Sequence, residues 1–171
     1  MENIQIIDDF FDEPILHEII DKINKETYFC NCTNNHNLNL NTDIPFWKSK
    51  LNNDRIYFND YLPNIINSKL QQNYKLKRVY LIGQTYQQNS NYHEDSNIST
   101  AITICLYLNN NYTDNDGYLY IKIPGQKTIM TIEPKMNRIV VFPAIYRHRG
   151  NGLNDDELRN CLAFKFVNGT F

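Results

Sequence analysis

Two regions of the chain differ in how their hydrophobic residues are spaced. In residues 12–25, isoleucine and leucine recur every three or four positions, and acidic residues with Pro14 stand where a helix would begin. A similar spacing in residues 60–72 predicts a second helix. The opening residues 4–7 are typical of a short strand, and the polar, Asn-rich residues 31–43 predict a loop.

After residue 75 the spacing becomes that of β-strands. Short segments rich in β-branched and aromatic residues follow one another, and Gly, Pro, Asn or Asp separates most of them. These segments are 77–83, 100–109, 117–123, 127–134, 137–143 and 159–167. The order predicts an α+β fold: a double-stranded β-helix (jelly roll) with the N-terminal helices packed on its outside. We expect a single domain, 1–171, with helical support in 1–75 and the jelly-roll core in 76–171.

Composition narrows the classes of function. Lysine and arginine number 17 and aspartate and glutamate 19, and the net charge of -2 argues against nucleic acid as a partner. No apolar run approaches membrane-spanning length, and the N-terminus is acidic where a signal peptide would be basic. The four cysteines form no disulfide framework, and Cys30, Cys32 and His36 match no common zinc pattern. We therefore expect a cytosolic protein with no membrane partner.

Three residues have the chemistry of a metal site. His93 and Asp95 are two positions apart, so an extended strand places both on one face. In a jelly roll, the strand that carries His148 can return beside them. Two imidazoles and one carboxylate would then form the facial triad that binds Fe(II) and leaves positions open. Taken alone, a His-X-Asp pair is more often a surface polar cluster, but Arg159 enters an apolar strand eleven positions after His148. A buried arginine is costly unless it meets an anion.

The ordered set of elements resembles the Fe(II)/2-oxoglutarate-dependent dioxygenases, in their prolyl 4-hydroxylase-like branch. The resemblance extends over residues 80–167 and includes the N-terminal strand and helix more loosely. It rests on these elements in order: His93-Glu94-Asp95, residues 103–109 with Tyr107, Gly117-Tyr118-Leu119-Tyr120, Ile132-Glu133-Pro134-Lys135-Met136-Asn137-Arg138, His148 and Arg159.

The resemblance implies a role for each matching residue. His93, Asp95 and His148 would ligate the iron, with no catalytic residue beyond these ligands. Arg159 and Tyr107 would bind the distal carboxylate of 2-oxoglutarate. Oxygen would be the second cosubstrate and ascorbate an auxiliary reductant. The expected reaction is hydroxylation of a peptide or protein, with a prolyl residue as the target, and release of succinate and CO2.

Several residues fit two interpretations. Gln84 stands where relatives often have a tyrosine, and Cys161 stands where many have a serine. Arg147 and Arg149 fit either an anion-attracting mouth or a solvated turn. Lys165 is the alternative basic residue for the cosubstrate's carboxylate.

Other functions stay open beside peptide hydroxylation. An oxygenase of the same fold can act on a small molecule or on nucleic acid. A non-catalytic jelly-roll module that holds a metal or ligand is a further alternative. The presence of Arg159 and Tyr107 speaks against it, because a structural metal needs neither residue.

Overall fold

Ten strands and two α-helices form within the residues that the structure describes. The structure is a computed structural model, and it describes residues 4–32, 44–109, 117–154 and 156–168. None of the helices in these ranges has the length and apolar content that crossing a bilayer requires.

The first part of the chain contains both α-helices and three short strands. The helix predicted at 12–25 is confirmed as α1, which Pro14 opens, because a proline in the first turn loses no helical hydrogen bond. The helix predicted at 60–72 begins earlier, as a π-helical turn, and ends where Gln71 turns left-handed with φ 53°. The elements are β1 (Gln5–Ile7), α1 (Glu13–Ile23), β2 (Phe29–Cys32), β3 (Phe46–Ser49), the π-helical turn (Tyr57–Tyr61) and α2 (Leu62–Leu70).

Strands occupy the rest of the chain, as their alternating pattern predicts. All six strand segments predicted after residue 75 are present within the described residues. A seventh, short strand in this region carries His148. The elements are β4 (Tyr74–Gln84), β5 (Ala101–Tyr107), β6 (Leu119–Lys122), β7 (Ile129–Ile132), β8 (Ile139–Pro143), β9 (Arg147–Gly150) and β10 (Arg159–Asn168).

The strands form two antiparallel sheets, as a jelly roll requires. The large sheet has the order β1-β8-β5-β10-β4-β3-β2, and the small sheet has the order β7-β6-β9. Strands β2 and β3 extend the large sheet beyond the predicted strands, so the predicted loop 31–43 begins inside β2. The remainder of that loop, and His36 with it, lies outside the described residues.

Each face of the large sheet contributes to a different apolar cluster. On one face, Leu162, Phe164 and Phe166 of β10 share a cluster with residues of α1 and α2 such as Ile19 and Ile66. On the other face, residues of β5, β8 and β10 pack against the small sheet. This second cluster consists of Cys105, Tyr107, Leu119, Ile121, Ile132, Val140, Phe142 and Cys161. The space between the two sheets is therefore lined by alternate residues of each strand.

An ion pair fastens the end of β1 to the turn before β8. Arg138 donates from Nε and Nη2 to the two carboxylate oxygens of Asp8, at 2.6 and 3.0 Å, and Lys135 adds a third contact at 3.1 Å. The Arg138 guanidinium lowers the pKa of Asp8 to about 2. Arg138 thus has a structural role at this edge of the large sheet.

Replacing Asp8 with Asn should lower the free energy of unfolding near neutral pH by about 1 kcal/mol or less, because the pair is partly exposed. The folded-state pKa lies below the unfolded value of 3.8, so the stabilisation is present above that pH and is lost as pH falls towards about 2. Urea unfolding of both proteins, near neutral pH and again near pH 2, measures the change. Asp12→Asn is the control, since the Asp12 side chain is 77% exposed. A difference equally large at both pH values would contradict this assignment.

Candidate active site

Reciprocal backbone hydrogen bonds join His93 to His148. Each of these residues donates its N–H to the carbonyl of the other, at 3.0 and 2.9 Å, which forms an isolated antiparallel bridge. The N–H of Asp95 donates to the carbonyl of Ala144 at 2.9 Å, in the turn before β9. The segment after β4 is thereby held against β9, and three residues far apart in sequence become neighbours.

The side chains of His93, Asp95 and His148 converge on one point. Their ligand atoms all lie within 4.8 Å of one another, close enough to hold one metal ion. Nε2 of His148 lies 3.2 Å from Oδ2 of Asp95, and Nε2 of His93 lies 3.7 Å from Oδ1. The structure thus brings together the three residues that the sequence predicts as ligands.

Backbone carbonyls orient both imidazole rings. Nδ1 of His93 lies 3.0 Å from the carbonyl of Asn91, and Nδ1 of His148 lies 2.9 Å from the carbonyl of Tyr146. Because a carbonyl only accepts, each Nδ1 carries the proton and each Nε2 keeps its lone pair for a metal.

Both imidazoles are held in the neutral form that binds metals. Burial lowers the pKa of His93 to about 3, and the charges of His148, Lys165 and Arg78 act in the same direction. Burial likewise lowers the pKa of His148 to about 4. The two rings therefore present lone pairs rather than protons across the physiological range.

Two polar groups hold the Asp95 carboxylate in place. The hydroxyl of Thr103 donates to Oδ2 at 2.6 Å, and the amino group of Lys165 contacts the same oxygen. Lys165 also donates to the Thr103 hydroxyl at 3.3 Å. The Asp95 side chain is only 6% exposed, so these contacts fix its direction in a largely dry environment.

Arg159 lies at the deep end of the same cavity and is 3% exposed. Its Nε donates to the carbonyl of Gly117 at 2.7 Å, and its Nη1 donates to Oε1 of Gln84 at 2.9 Å. Both of these acceptors are neutral, so they orient the guanidinium without cancelling its charge. Gln84 is buried and is itself anchored by the carbonyls of Gln88 and Gly150.

Tyr107 packs beside Arg159, with the guanidinium carbon 5.0 Å from the ring centroid. Its backbone exchanges two hydrogen bonds with the turn before β8: Asn137 donates to the Tyr107 carbonyl at 2.9 Å, and Tyr107 donates to the Arg138 carbonyl at 3.1 Å. Asn137 tolerates the left-handed conformation required there, with φ 61°. The end of β5 is thus fixed, and the buried Tyr107 side chain with it.

Gly150 leaves open space in front of the guanidinium. A Cβ at this position would lie 3.3 Å from Nη1 and Nη2 of Arg159 and 3.0 Å from Oε1 of Gln84. Gly150 and His148 are two positions apart on β9, a separation of about 7 Å along a strand. A glycine here therefore keeps a path clear between Arg159 and the side chains of His93, Asp95 and His148, which are called the metal-ligand set below.

One cavity of about 310 Å³ contains all five predicted site residues: His93, Asp95, Tyr107, His148 and Arg159. Cys161 also lines it, as does Lys165, which lies next to the metal-ligand set. Arg147 and Arg149 do not line the cavity. Arg149 instead stacks on Tyr92 and Tyr120, with each ring centroid 5.0 Å away.

Lys48, Arg78 and Tyr80 also line the cavity, and they were not predicted there from the sequence. Tyr80 and Arg78 share the alternation of β4 with Gln84 and Ile82, so strand period alone places them on the same face. Lys48 lies on β3, a strand whose short sequence, FWKS, gave no periodic signal.

Comparison with solved structures identifies the fold. A 2OG-Fe(II) oxygenase family oxidoreductase from Burkholderia pseudomallei superimposes with a TM-score of 0.74 at 11% identity, over 96% of this chain and 84% of that one. A prolyl hydroxylase from Trichoplax adhaerens, in complex with a hypoxia inducible factor peptide, gives 0.74 at 15% identity, over 98% and 84%. SnoN, a non-heme alpha ketoglutarate dependent epimerase from nogalamycin biosynthesis, gives 0.69 at 12% identity, over 99% and 77%.

The sequence comparisons add nothing to this result, because no protein-family model and no curated protein matches the chain. The predicted resemblance to 2-oxoglutarate and iron oxygenases, prolyl hydroxylases included, is confirmed at the level of the fold. Since the identities are 11–15%, the substrate does not follow from this similarity.

The ligand geometry predicts that His93→Ala and His148→Ala will each weaken Mn(II) binding by at least about a hundredfold, because each removes one of three ligands. Isothermal titration with Mn(II), in buffer free of other divalent ions, measures the affinity. His17→Ala is the matched control, because His17 is an exposed residue of α1. Equal Mn(II) affinity in the three variants would exclude this metal site.

Proposed function

We propose that the protein is an Fe(II)- and 2-oxoglutarate-dependent dioxygenase that hydroxylates a peptide or protein, with a prolyl residue as the expected target. The observation that carries this proposal is the cavity itself. Its walls carry two neutral imidazoles, the carboxylate of Asp95 and a deeply buried arginine, and Gly150 leaves room between them. In this arrangement, α1 and α2 support the large sheet from outside.

The donor set suits iron. Two imidazole nitrogens and one carboxylate oxygen would occupy three positions around Fe(II) and leave the others for cosubstrate and oxygen. When bound, iron would activate O2 as the oxidant and 2-oxoglutarate would be oxidatively decarboxylated to succinate and CO2, so that one oxygen atom goes to succinate and the other to the substrate. The protein's part is to keep His93 and His148 neutral and aimed, and to fix Asp95 through Thr103 and Lys165.

The deep end of the cavity suits a dicarboxylate. Arg159 would pair with the distal carboxylate of 2-oxoglutarate, and Tyr107 would lie against the same group. Gly150 follows His148 by two residues on the same strand, about 7 Å along it, so a chain that joins two carboxylates would extend past Gly150 from the metal-ligand set towards Arg159. Gln84 would act as a positioning residue, since it accepts a hydrogen bond from Nη1 of Arg159.

Lys165 is the less suitable holder of that carboxylate. Its amino group already contacts Asp95, so it lies beside the metal-ligand set and not at the far end of the cavity. We assign it to positioning of the Asp95 carboxylate.

Hydroxylation of a peptide is supported by similarity to a prolyl hydroxylase that binds a peptide. Action on a small molecule is the second candidate, because the cavity of about 310 Å³ is near the lower end of the usual range for ligand pockets. SnoN, from nogalamycin biosynthesis, has the same fold. Nucleic acid as substrate is disfavoured by the net charge of -2.

Replacing Arg159 with Ala should weaken 2-oxoglutarate binding by roughly 3 kcal/mol, or about a hundredfold, because a buried charge loses its partner. Mn(II) binding should stay nearly unchanged. Titration of Mn(II) into the metal-free protein measures the Mn(II) affinity. Titration of 2-oxoglutarate into the Mn(II)-loaded protein without oxygen measures the 2-oxoglutarate affinity. Arg149→Ala, on the outer face of the small sheet, is the control. Unchanged 2-oxoglutarate affinity in Arg159→Ala would transfer the role to another basic residue, Lys165 first.

Incubation with Fe(II), 2-oxoglutarate, ascorbate and a panel of proline-containing peptides should release succinate and add one oxygen atom to proline. Mass spectrometry of the peptides measures the product, and Asp95→Ala should abolish it. A parallel reaction without ascorbate tests the auxiliary reductant. Strong succinate release with a free amino acid or a nucleotide, and none with any peptide, would overturn the peptide assignment in favour of the small-molecule or nucleotide candidate.

A further inference from the structure

Two basic side chains line the cavity but have no part in the proposed metal or cosubstrate site. They are Lys48 on β3 and Arg78 on β4, named here the cation pair. Both lie near the ring of Tyr80: Nζ of Lys48 is 4.5 Å from its centroid and the guanidinium carbon of Arg78 is 5.9 Å away. All three side chains are half-buried, whereas Gln84 at the other end of β4 is buried. The cation pair therefore lies towards the open end of the cavity, opposite Arg159.

Arg78 is close to the metal-ligand set. In the antiparallel pairing of β4 with β10, its backbone lies opposite that of Lys165, whose amino group contacts Asp95. A substrate group bound to Arg78 would therefore lie near the position where the iron would bind.

The charge of the cation pair is not balanced by the residues around it. Across the described part of the chain, no carboxylate lies within ion-pairing distance of Lys48 or Arg78. Nε of Arg78 is buried, and within the same residues it has no hydrogen-bond partner. Among the described residues, two carboxylates line the cavity: Asp95, which belongs to the metal-ligand set, and the exposed Glu94. A half-buried guanidinium with an unsatisfied donor favours a ligand that brings a negative charge.

We propose that the substrate of this oxygenase carries a carboxylate group that binds to Lys48 and Arg78 and holds the substrate in the cavity while one of its carbons is oxidised. This inference rests on the proposed function, because it assigns the substrate side of the same cavity. A carboxylate matches the planar, two-pronged donor set of an arginine and accepts a further bond from a lysine. Tyr80 presents an apolar ring beside both cations and would pack against the carbon chain that bears the carboxylate.

Binding of paired acidic and neutral probes tests this proposal. One set consists of peptides of about nine residues with a central proline and a single Glu, placed in turn at each other position, and the same peptides with Gln. The other set is N-acetylglutamate and N-acetylglutamine. Each probe is titrated into protein loaded with Mn(II) and saturating 2-oxoglutarate without oxygen, so that the readout does not depend on turnover.

We expect the best Glu probe to bind roughly ten- to a hundredfold more tightly than its Gln counterpart. Arg78→Gln and Lys48→Gln should each reduce this preference by about tenfold or more. Lys122→Gln is the matched control, because Lys122 also lies over a tyrosine ring, 4.0 Å from the centroid of Tyr92, but outside the cavity. A preference confined to the peptides identifies an acidic side chain as the source of the carboxylate, and one confined to N-acetylglutamate identifies a small free acid.

Equal binding of every Glu and Gln pair would overturn the proposal, as would a preference that both variants retain in full. Failure of the proposed function gives a different result. In that case Mn(II) and 2-oxoglutarate do not bind in the absence of any probe, while a preference for Glu that depends on Arg78 would still reveal the anion site.

Discussion

The two-residue alternation of β10 is the constraint on which the rest of the molecule depends. Leu162, Phe164 and Phe166 face the helices, and the residues between them face the cavity. Because a shift of register by one residue would exchange the two faces, burial of the phenylalanines also determines where Arg159 and Lys165 point. Apolar packing on the outer face thus secures the polar site on the inner face.

This coupling explains how a cavity with several charged groups is tolerated in a chain of 171 residues. Buried polar groups contribute little to stability unless they are fully satisfied, and an unpaired buried charge destabilises. The helices supply a separate apolar cluster on the other side of the sheet, with Phe58, Leu62 and Ile66 fully buried. The inner face is therefore free to carry ligands, donors and a glycine where a larger side chain would close the cavity.

Much of this arrangement follows from residue order alone. The spacing of His93 and Asp95, the later His148, and an arginine entering an apolar strand predict a cavity that the structure assembles. The strand pairs that create it are long-range contacts, and sequence periodicity carries no information about which strands become neighbours. Gln84 illustrates the limit: its position departs from the expected tyrosine, and its hydrogen bond to Arg159 becomes visible only when β4 and β10 pair.

Lys48 was beyond prediction for a related reason. It lies on a four-residue strand, paired to β4 at Ile82, and its amino group reaches the ring of Tyr80 only through that pairing. Spacing within a strand can be read from the sequence, whereas a residue that a short edge strand brings to the cavity depends on a pairing that the sequence does not reveal. In this protein β2 and β3 extend the large sheet on the side of Arg78. Pairing of β3 with β4 continues the sheet at this edge and also brings Lys48 to the cavity, so the charge at the open end depends on the edge strand.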